Sequence, residues 1–355
     1  MVGRWSVLSC LLASLVAVWA SRRALGLALD AHPALDDAER NRILRAGTAL
    51  LALGSPLVHL VSDGNLYFEA IAWAAAFALA AVSFLVEITL SLRASTRAYA
   101  ALGACGACAL LTRVTFGAAV LLAAGAVALV VLRTRELTAR DRGARIASLA
   151  LPALVGVAAQ LAYNRMRWGS ALTFIVPDAY VFLPSMREAF AQGQVHPRRL
   201  PWALYNYAVP APRFFSTAAP FVVLGRAAAL PSPVLNGSSR GFLPLTLSAP
   251  PLLYLAARAL RDLARAPLSH ALPLGVTLAF GAQALVILGF YHMAQRYTVE
   301  FLPGLVYLAC LAVRALPREP APREAVLRRV TLLSMVALAC NLLSQSYWVN
   351  VEARV

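Results

Sequence analysis

The chain of 355 residues contains no lysine, so all 32 of its permanently basic side chains are arginine. Charge of either sign is scarce. Asp, Glu and Arg together make 14% of residues, against about 25% in an ordinary soluble domain, which argues against a water-covered exterior. Histidine occurs only at His32, His59, His196, His270 and His292, without metal-ligand spacing. No Gly-rich phosphate loop, GxSxG elbow or dinucleotide-binding fingerprint appears, so the chemistries built on those motifs lack their usual carriers. Cysteine is sparse as well: the five, at 10, 105, 108, 310 and 340, all lie inside apolar runs. Cys105 and Cys108 form a C-x-x-C. They sit among the alanines and glycines of Ala100–Leu111, where small residues permit close helix packing. No second pair or histidine cluster accompanies them, as a redox or metal role would require.

What is abundant is apolar surface. Sixty per cent of residues are hydrophobic and the mean hydropathy is +0.69. Apolar runs at 4–21, 43–61, 66–92, 98–112, 114–132, 146–164, 241–258, 271–291, 298–316 and 326–344 approach the ~20 residues that span a hydrocarbon core. The expected fold is all-α: a polytopic transmembrane helical bundle of about 10 spans, with 1–355 forming a single integral membrane domain. A net charge of +16 would point to nucleic acid in a soluble protein. In a membrane protein the same excess belongs to arginines in cytoplasmic loops, so no nucleic-acid partner is expected. An Ala- and Arg-rich chain free of lysine has the composition of a GC-rich bacterial genome.

The charge bias also orients the helices. Arg22, Arg23, Arg42 and Arg45 mark one inside linker, Arg93 and Arg97 a second, and Arg133, Arg135, Arg140, Arg142 and Arg145 a third. Arg258, Arg261 and Arg265 mark a fourth, and Arg314, Arg318, Arg323, Arg328 and Arg329 a fifth. Ten helices alternate consistently with all five inside. Asp63, Arg113, the segment 165–240 and His292–Glu300 then fall outside. Residues 165–240 read as an outer loop with amphipathic helices at the interface, where Trp202, Tyr205, Tyr207, Phe214 and Phe215 are at home; Pro220 and Arg226 argue against an eleventh span over Phe214–Leu230. The parity puts Met1 outside. A signal peptide over residues 1–20 is the alternative, opposed by Arg22 and Arg23 directly after its apolar core.

Four places on the outer side carry chemistry. Asp63-Gly64-Asn65 reads as a helix stop and start, and Glu69 follows on the next helix, where a carboxylate at a membrane boundary needs a partner or water; Glu87, deeper in that helix, can pair with an arginine. Arg113 stands between two apolar runs, either as an anchor snorkelling to the interface or as a ligand for phosphate through its fork of donors. Asn164, Arg165 and Arg167 precede Trp168-Gly169-Ser170, and two arginines outside run against the usual bias. A lipid-linked diphosphate would account for them, as would pairing with Asp178 or Glu188. Arg296 and Tyr297 offer a charge and a hydroxyl donor to a phosphate, while Glu300, four residues from Arg296, is spaced to pair with it on a helix.

Three elements in order resemble a known family: Leu111-Thr112-Arg113, then Asn164-Arg165-Met166-Arg167-Trp168-Gly169-Ser170, then Arg296-Tyr297-Thr298-Val299-Glu300-Phe301-Leu302-Pro303. They look like the bacterial branch of the GT-C-fold membrane glycosyltransferases, with Trp168 in place of a Phe and Glu300 in place of an Asp, over roughly residues 40–316. The resemblance implies transfer of a sugar from a polyprenyl-phosphate carrier to an acceptor on the outer face of the inner membrane. It assigns Arg113, Asn164, Arg165, Arg167, Arg296, Tyr297 and Glu300 to the lipid-phosphate substrate. The family's catalytic acid lies in a first outer loop, which has no counterpart here. Either an odd number of helices and that loop precede Met1, or Asp63 or Glu69 takes the role of base. No cofactor is evident, and no ligand cluster for a divalent metal is visible. The alternative is a non-catalytic lipid-phosphate-binding or transporter-like membrane protein.

Overall fold

A computed structural model describes residues 2–63, 66–174, 191–209, 243–265 and 270–350. Its helices are α1 (Val2–Asp30), α2 (Asp37–Leu53), α3 (Leu57–Asp63), α4 (Leu66–Leu90), α5 (Thr96–Thr112), α6 (Val114–Arg133), α7 (Ala139–Trp168), α8 (Leu200–Ala208), α9 (Leu245–Ser248), α10 (Pro250–Arg265), α11 (Ala271–Leu288), α12 (Leu302–Arg314) and α13 (Pro320–Asn350). Short 3-10 segments cover Pro197–Arg199 and Gln295–Phe301. The described residues contain no β-strand, only an isolated antiparallel bridge between Val195 and Phe290. The fold is an all-α bundle.

Seven stretches are long and apolar enough to cross a membrane: Trp5–Asp30, Phe68–Leu90, Val114–Arg133, Ala139–Trp168, Ala271–Leu288, Gln295–Arg314 and Pro320–Gln345. The other three expected spans are shorter. The run at 43–61 is broken by Gly54-Ser55-Pro56 into α2 and α3, since proline cannot continue a helical hydrogen-bond ladder. The run at 98–112 is α5, of 17 residues. The run at 241–258 becomes the single turn α9 and then α10, whose Leu252, Leu255, Ala256, Ala259 and Leu263 share a buried face. Conversely, α1 does not stop at residue 21 but continues through Arg22 and Arg23 to Asp30.

α4 is the central helix, with Ala72, Ala75, Leu79, Val82 and Val86 all buried. α1 lies along it in parallel: Ser9 meets Glu69 near the start of both helices, and Arg23 pairs with Glu87 near the end of α4. α5 and α7 are parallel neighbours brought together by missing side chains. A Cβ on Gly103 would lie 2.1 Å from the Leu149 carbonyl oxygen, and one on Gly156 2.3 Å from the Ala107 Cβ. Small residues at such crossings let helix backbones approach in a membrane, where packing replaces the hydrophobic drive. This close approach is the role expected for the small residues around Cys105 and Cys108, both half-buried free thiols. Outward faces are apolar: Trp5, Leu8, Leu12 and Leu15 on α1, Leu151, Leu154 and Val155 on α7, Leu332 and Met335 on α13 are all exposed. An apolar surface of that extent marks a lipid-facing protein.

Two short turns, 91–95 and 134–138, lie at one end of the bundle, beside Arg93, Arg97, Arg133, Arg135 and Arg140. Between them α5 and α6 cross to the opposite end and back, joined by Arg113 alone in an extended conformation (φ −158°, ψ 116°). α5 has 17 residues and α4 has 25; at 1.5 Å per residue the eight-residue difference leaves the α5–α6 turn about 12 Å short of the start of α4 on axial length alone. The turn is therefore recessed within the bundle.

Candidate functional site

Arg113 is held in that recess because the α5–α6 turn is tight. A Cβ on Gly117 would lie 2.2 Å from the Leu110 Cα, so glycine is what lets α6 fold back on α5 within one residue. The Arg113 guanidinium donates from Nε and Nη2 to Glu300 Oε1 at 2.7 and 2.5 Å, and the Thr115 hydroxyl donates to Glu300 Oε2 at 2.6 Å. The Glu300 side chain has no solvent exposure and that of Arg113 has 26%. Both carboxylate oxygens thus have a partner, which a buried charge requires. Arg113 is not an isolated snorkelling anchor, and Glu300 pairs across helices with Arg113, not with Arg296 four residues away. The reason is local: Gln295–Phe301 is a 3-10 segment, which lacks the α-helical spacing that brings positions four apart together.

Tyr297 sits between two guanidiniums. Its ring centroid is 5.1 Å from the Arg113 Cζ and 5.0 Å from the Arg296 Cζ, both in cation–π range. Arg296 also approaches the Tyr297 hydroxyl at 3.5 Å. Among the described residues no carboxylate pairs with Arg296. With Arg113 and Glu300 cancelling, the cluster carries one uncompensated positive charge, on a half-buried arginine.

A small second core supports this segment. Ala203 and Tyr207 of α8, Leu245, Ile287, Met293 and Tyr297 pack together, and the Tyr207 ring lies 5.6 Å from that of Phe301. Burial raises the Tyr207 hydroxyl well above the usual tyrosine range, with the nearby Tyr297 and Glu300 adding to the effect. His292 is pushed down to about 4, first by burial and then by the positive charge of Arg296. Its imidazole is therefore neutral at pH 7. Arg199, fully buried, donates to the carbonyls of Gly193, Gln194 and Gly289 at 2.8, 3.0 and 3.2 Å, which ties residues 193–196 to 289–291.

Glu69 is placed apart from this cluster, in the first turn of α4. It accepts from the Ser9 hydroxyl at 2.5 Å, and Ser9 in turn accepts from Trp73 Nε1 at 3.0 Å. Among the described residues this half-buried carboxylate has no cationic partner. Asp63 ends α3, but its side chain lies outside the described residues. Glu87 is held by Arg23, which also donates to Ser83 at 2.9 Å.

The Asn164–Ser170 element ends α7 at the same end of the bundle as Arg113. Buried Asn164 accepts from Gln160 at 2.8 Å and donates to the Ala171 carbonyl at 3.0 Å, fastening the turn after the helix. Gly169 caps α7 in the left-handed region (φ 72°), its N–H donating to the Arg165 carbonyl at 2.9 Å, the conformation that favours glycine. Arg165 and Arg167 are exposed. Arg167 donates to the Tyr163 hydroxyl at 2.7 Å and stacks on Trp168 at 4.6 Å. Asp178 and Glu188, the expected alternative partners, lie outside the described residues, as do Phe214–Leu230 and most of the outer loop. The structure therefore joins the first and third sequence elements through Arg113, Glu300, Tyr297 and Arg296, and the second ends its helix at the same end of the bundle.

Thr115 and Ser9 were not legible as site residues. Each is one small hydroxyl in a largely apolar stretch, and only the partner helix gives it a role. Arg199 was hidden inside Pro197-Arg198-Arg199, which reads as a solvated loop. Among the described residues no three His, Cys, Asp or Glu side chains converge as a metal site would require. Compared with known proteins, the chain matches no family model, no curated protein and no solved structure.

Proposed function

We propose that the chain is a membrane glycosyltransferase of the GT-C type, using a sugar carried on a polyprenyl phosphate. The observation that carries this reading is the Arg113–Glu300–Tyr297–Arg296 cluster, whose one uncompensated charge is a half-buried arginine beside a tyrosine hydroxyl. An unpaired guanidinium with a neighbouring donor is the chemistry that holds a phosphate. Arg296 and Tyr297 take the carrier phosphate in this reading. Arg113 and Glu300 hold the segment in place, and Arg165 and Arg167 contribute at the adjoining rim. Glu69 is the base: it removes the proton of an acceptor hydroxyl as that oxygen bonds to the sugar C1, while the C1–O bond to phosphate breaks and the carrier leaves as polyprenyl phosphate. In this reading the arginine-rich turns face the cytoplasm, and that charge bias supports an outward position for this end of the bundle in a bacterial inner membrane.

The test uses the protein in lipid nanodiscs. Arg296→Ala should weaken binding of a polyprenyl monophosphate at least about tenfold, the scale of one charge-assisted hydrogen bond. Glu69→Gln should leave that binding intact and stop transfer from polyprenyl-phosphate-linked hexose or pentose. Binding lost with Arg296→Ala but no turnover from either donor would favour a non-catalytic lipid-phosphate-binding protein. Unaltered binding in Arg296→Ala would remove both.

A further inference from the structure

A cavity of about 450 Å³ lies between α2 and α13, with α1, α10 and α12 behind it. Arg42, near the start of α2, and Glu324 and Arg328, near the start of α13, line it. It is thus at the arginine-rich end of the bundle, away from the Arg113 cluster. Its walls are hydrocarbon, formed by Leu25, Ile43, Leu50, Leu255, Val306 and Val313. The hydroxyls that reach it are already engaged: Ser21 donates to the Ala17 carbonyl at 2.8 Å, Thr331 to Leu327 at 3.0 Å and Ser334 to Val330 at 2.7 Å. A polar solute would leave its own groups unsatisfied against such walls. An alkyl chain would lose nothing there.

The rim has the opposite character. Glu324 and Arg328 lie one turn apart on α13 at 4.0 Å, both largely exposed, a loose pair that water screens and that leaves the Arg328 guanidinium open to a second anion. Arg42 has no ion pair or hydrogen bond among the described residues, so the rim carries one net positive charge. A slot without free donors, closed by a cationic rim, fits an amphiphile with one anionic group. We propose that the cavity holds an acyl chain of an anionic membrane lipid, with its headgroup phosphate on Arg42 and Arg328. The arginine bias assigns this end to the cytoplasmic leaflet, where anionic lipids draw basic side chains. The site is separate from the Arg296 cluster and does not depend on sugar transfer.

Native mass spectrometry of the full chain, titrated with phosphatidylglycerol or phosphatidylcholine of the same acyl chains, tests this. One phosphatidylglycerol should be retained about fivefold more tightly than phosphatidylcholine, the scale of one net positive charge near an anionic lipid. Arg42→Ala combined with Arg328→Ala should erase that preference. Ala46→Phe, at a residue lining the cavity, should expel both lipids. Arg329→Ala, an exposed neighbour outside the lining, should behave as the unaltered chain. Equal retention of the two lipids by the unaltered chain would overturn the headgroup site, whatever the folding of the variants. Retention unaffected by Ala46→Phe, or a species of twice the chain mass that Ala46→Phe dissociates, would overturn the chain site; the latter outcome would make a second copy the occupant.

Discussion

Among the described residues three arginine–glutamate pairs join elements far apart in the chain, Arg23–Glu87, Arg113–Glu300 and Arg323–Glu39, and the first two differ most usefully in what surrounds them. Arg23 and Glu87 link α1 to α4 at the arginine-rich end. Both side chains keep about a quarter of their exposure (29% and 25%), and Ser83 and the Phe84 ring complete the arginine's surroundings. Arg113 and Glu300 link the α5–α6 turn to the 3-10 segment before α12, with Glu300 wholly buried. There a second arginine shares the Tyr297 ring and has no acid of its own among the described residues. The first pair is a closed, neutral clasp. The second is a clasp with a spare charge beside it, and it is the spare charge, not the pair, that gives this end its capacity for an anion.

The contrast can be broken most directly at the acids. Glu300→Gln leaves Arg113 half-buried with no counter-charge and should destabilise the protein by about 3–5 kcal/mol, the usual result of removing one partner of a buried pair. Glu87→Gln, where water reaches both partners, should cost about 1–3 kcal/mol. Chemical denaturation in detergent of the two variants side by side measures this, and equal losses would mean that the two pairs are equivalent.

Gly117→Ala addresses the same clasp from the backbone. The new methyl would meet the Leu110 backbone, so α5 and α6 must part, at about 1–3 kcal/mol, and Arg113 must shift from Glu300. Combined with Glu300→Gln, the two losses should fall short of their sum, since both act on one interaction. Additive losses would show that the turn and the pair are independent.

His292 reports the spare charge. Held at about 4 in the fold against 6.5 unfolded, it takes up a proton more readily when unfolded. Its contribution to stability is therefore fully present above about pH 6.5 and is lost as pH falls toward about 4. Ring chemical shifts across a pH titration should show a neutral imidazole through pH 5. In Arg296→Ala the midpoint should rise but stay below 6.5, because burial is the larger cause. A midpoint unmoved by that substitution would mean that Arg296 is screened from His292.

The smallest effect is on stability in Arg296→Ala itself. Only a cation–π contact and a long hydrogen bond are lost, so thermal unfolding should register about 0.5–1 kcal/mol. A loss as large as that of Glu300→Gln would make Arg296 part of the clasp.

Much of this was legible in the sequence because it follows from composition and period. Sixty per cent apolar residues, the long apolar runs and the arginine-rich turns fix an α-helical membrane bundle, since a chain in lipid must satisfy its backbone within helices. Pro56 and Pro152 show how far that reading extends. The first, after Gly54 and Ser55, ends a helix, whereas the second sits inside the 30 residues of α7, packed against Gly103. Propensity alone does not separate the two.

The residues Arg113, Arg296, Tyr297, Glu300 and Glu69 were all readable as polar groups at the ends of apolar runs, because charge in such a place must have a partner or water. Which partner each one has was decided only by tertiary structure. Spacing offered Glu300 to Arg296; the 3-10 geometry and the short α5 gave it instead to Arg113, 187 residues away. Ser9 became the partner of Glu69 only because α1 lies parallel to α4. Sequence sets the inventory of charges and the helices that carry them. Their pairing depends on distances between helices, which no local pattern encodes.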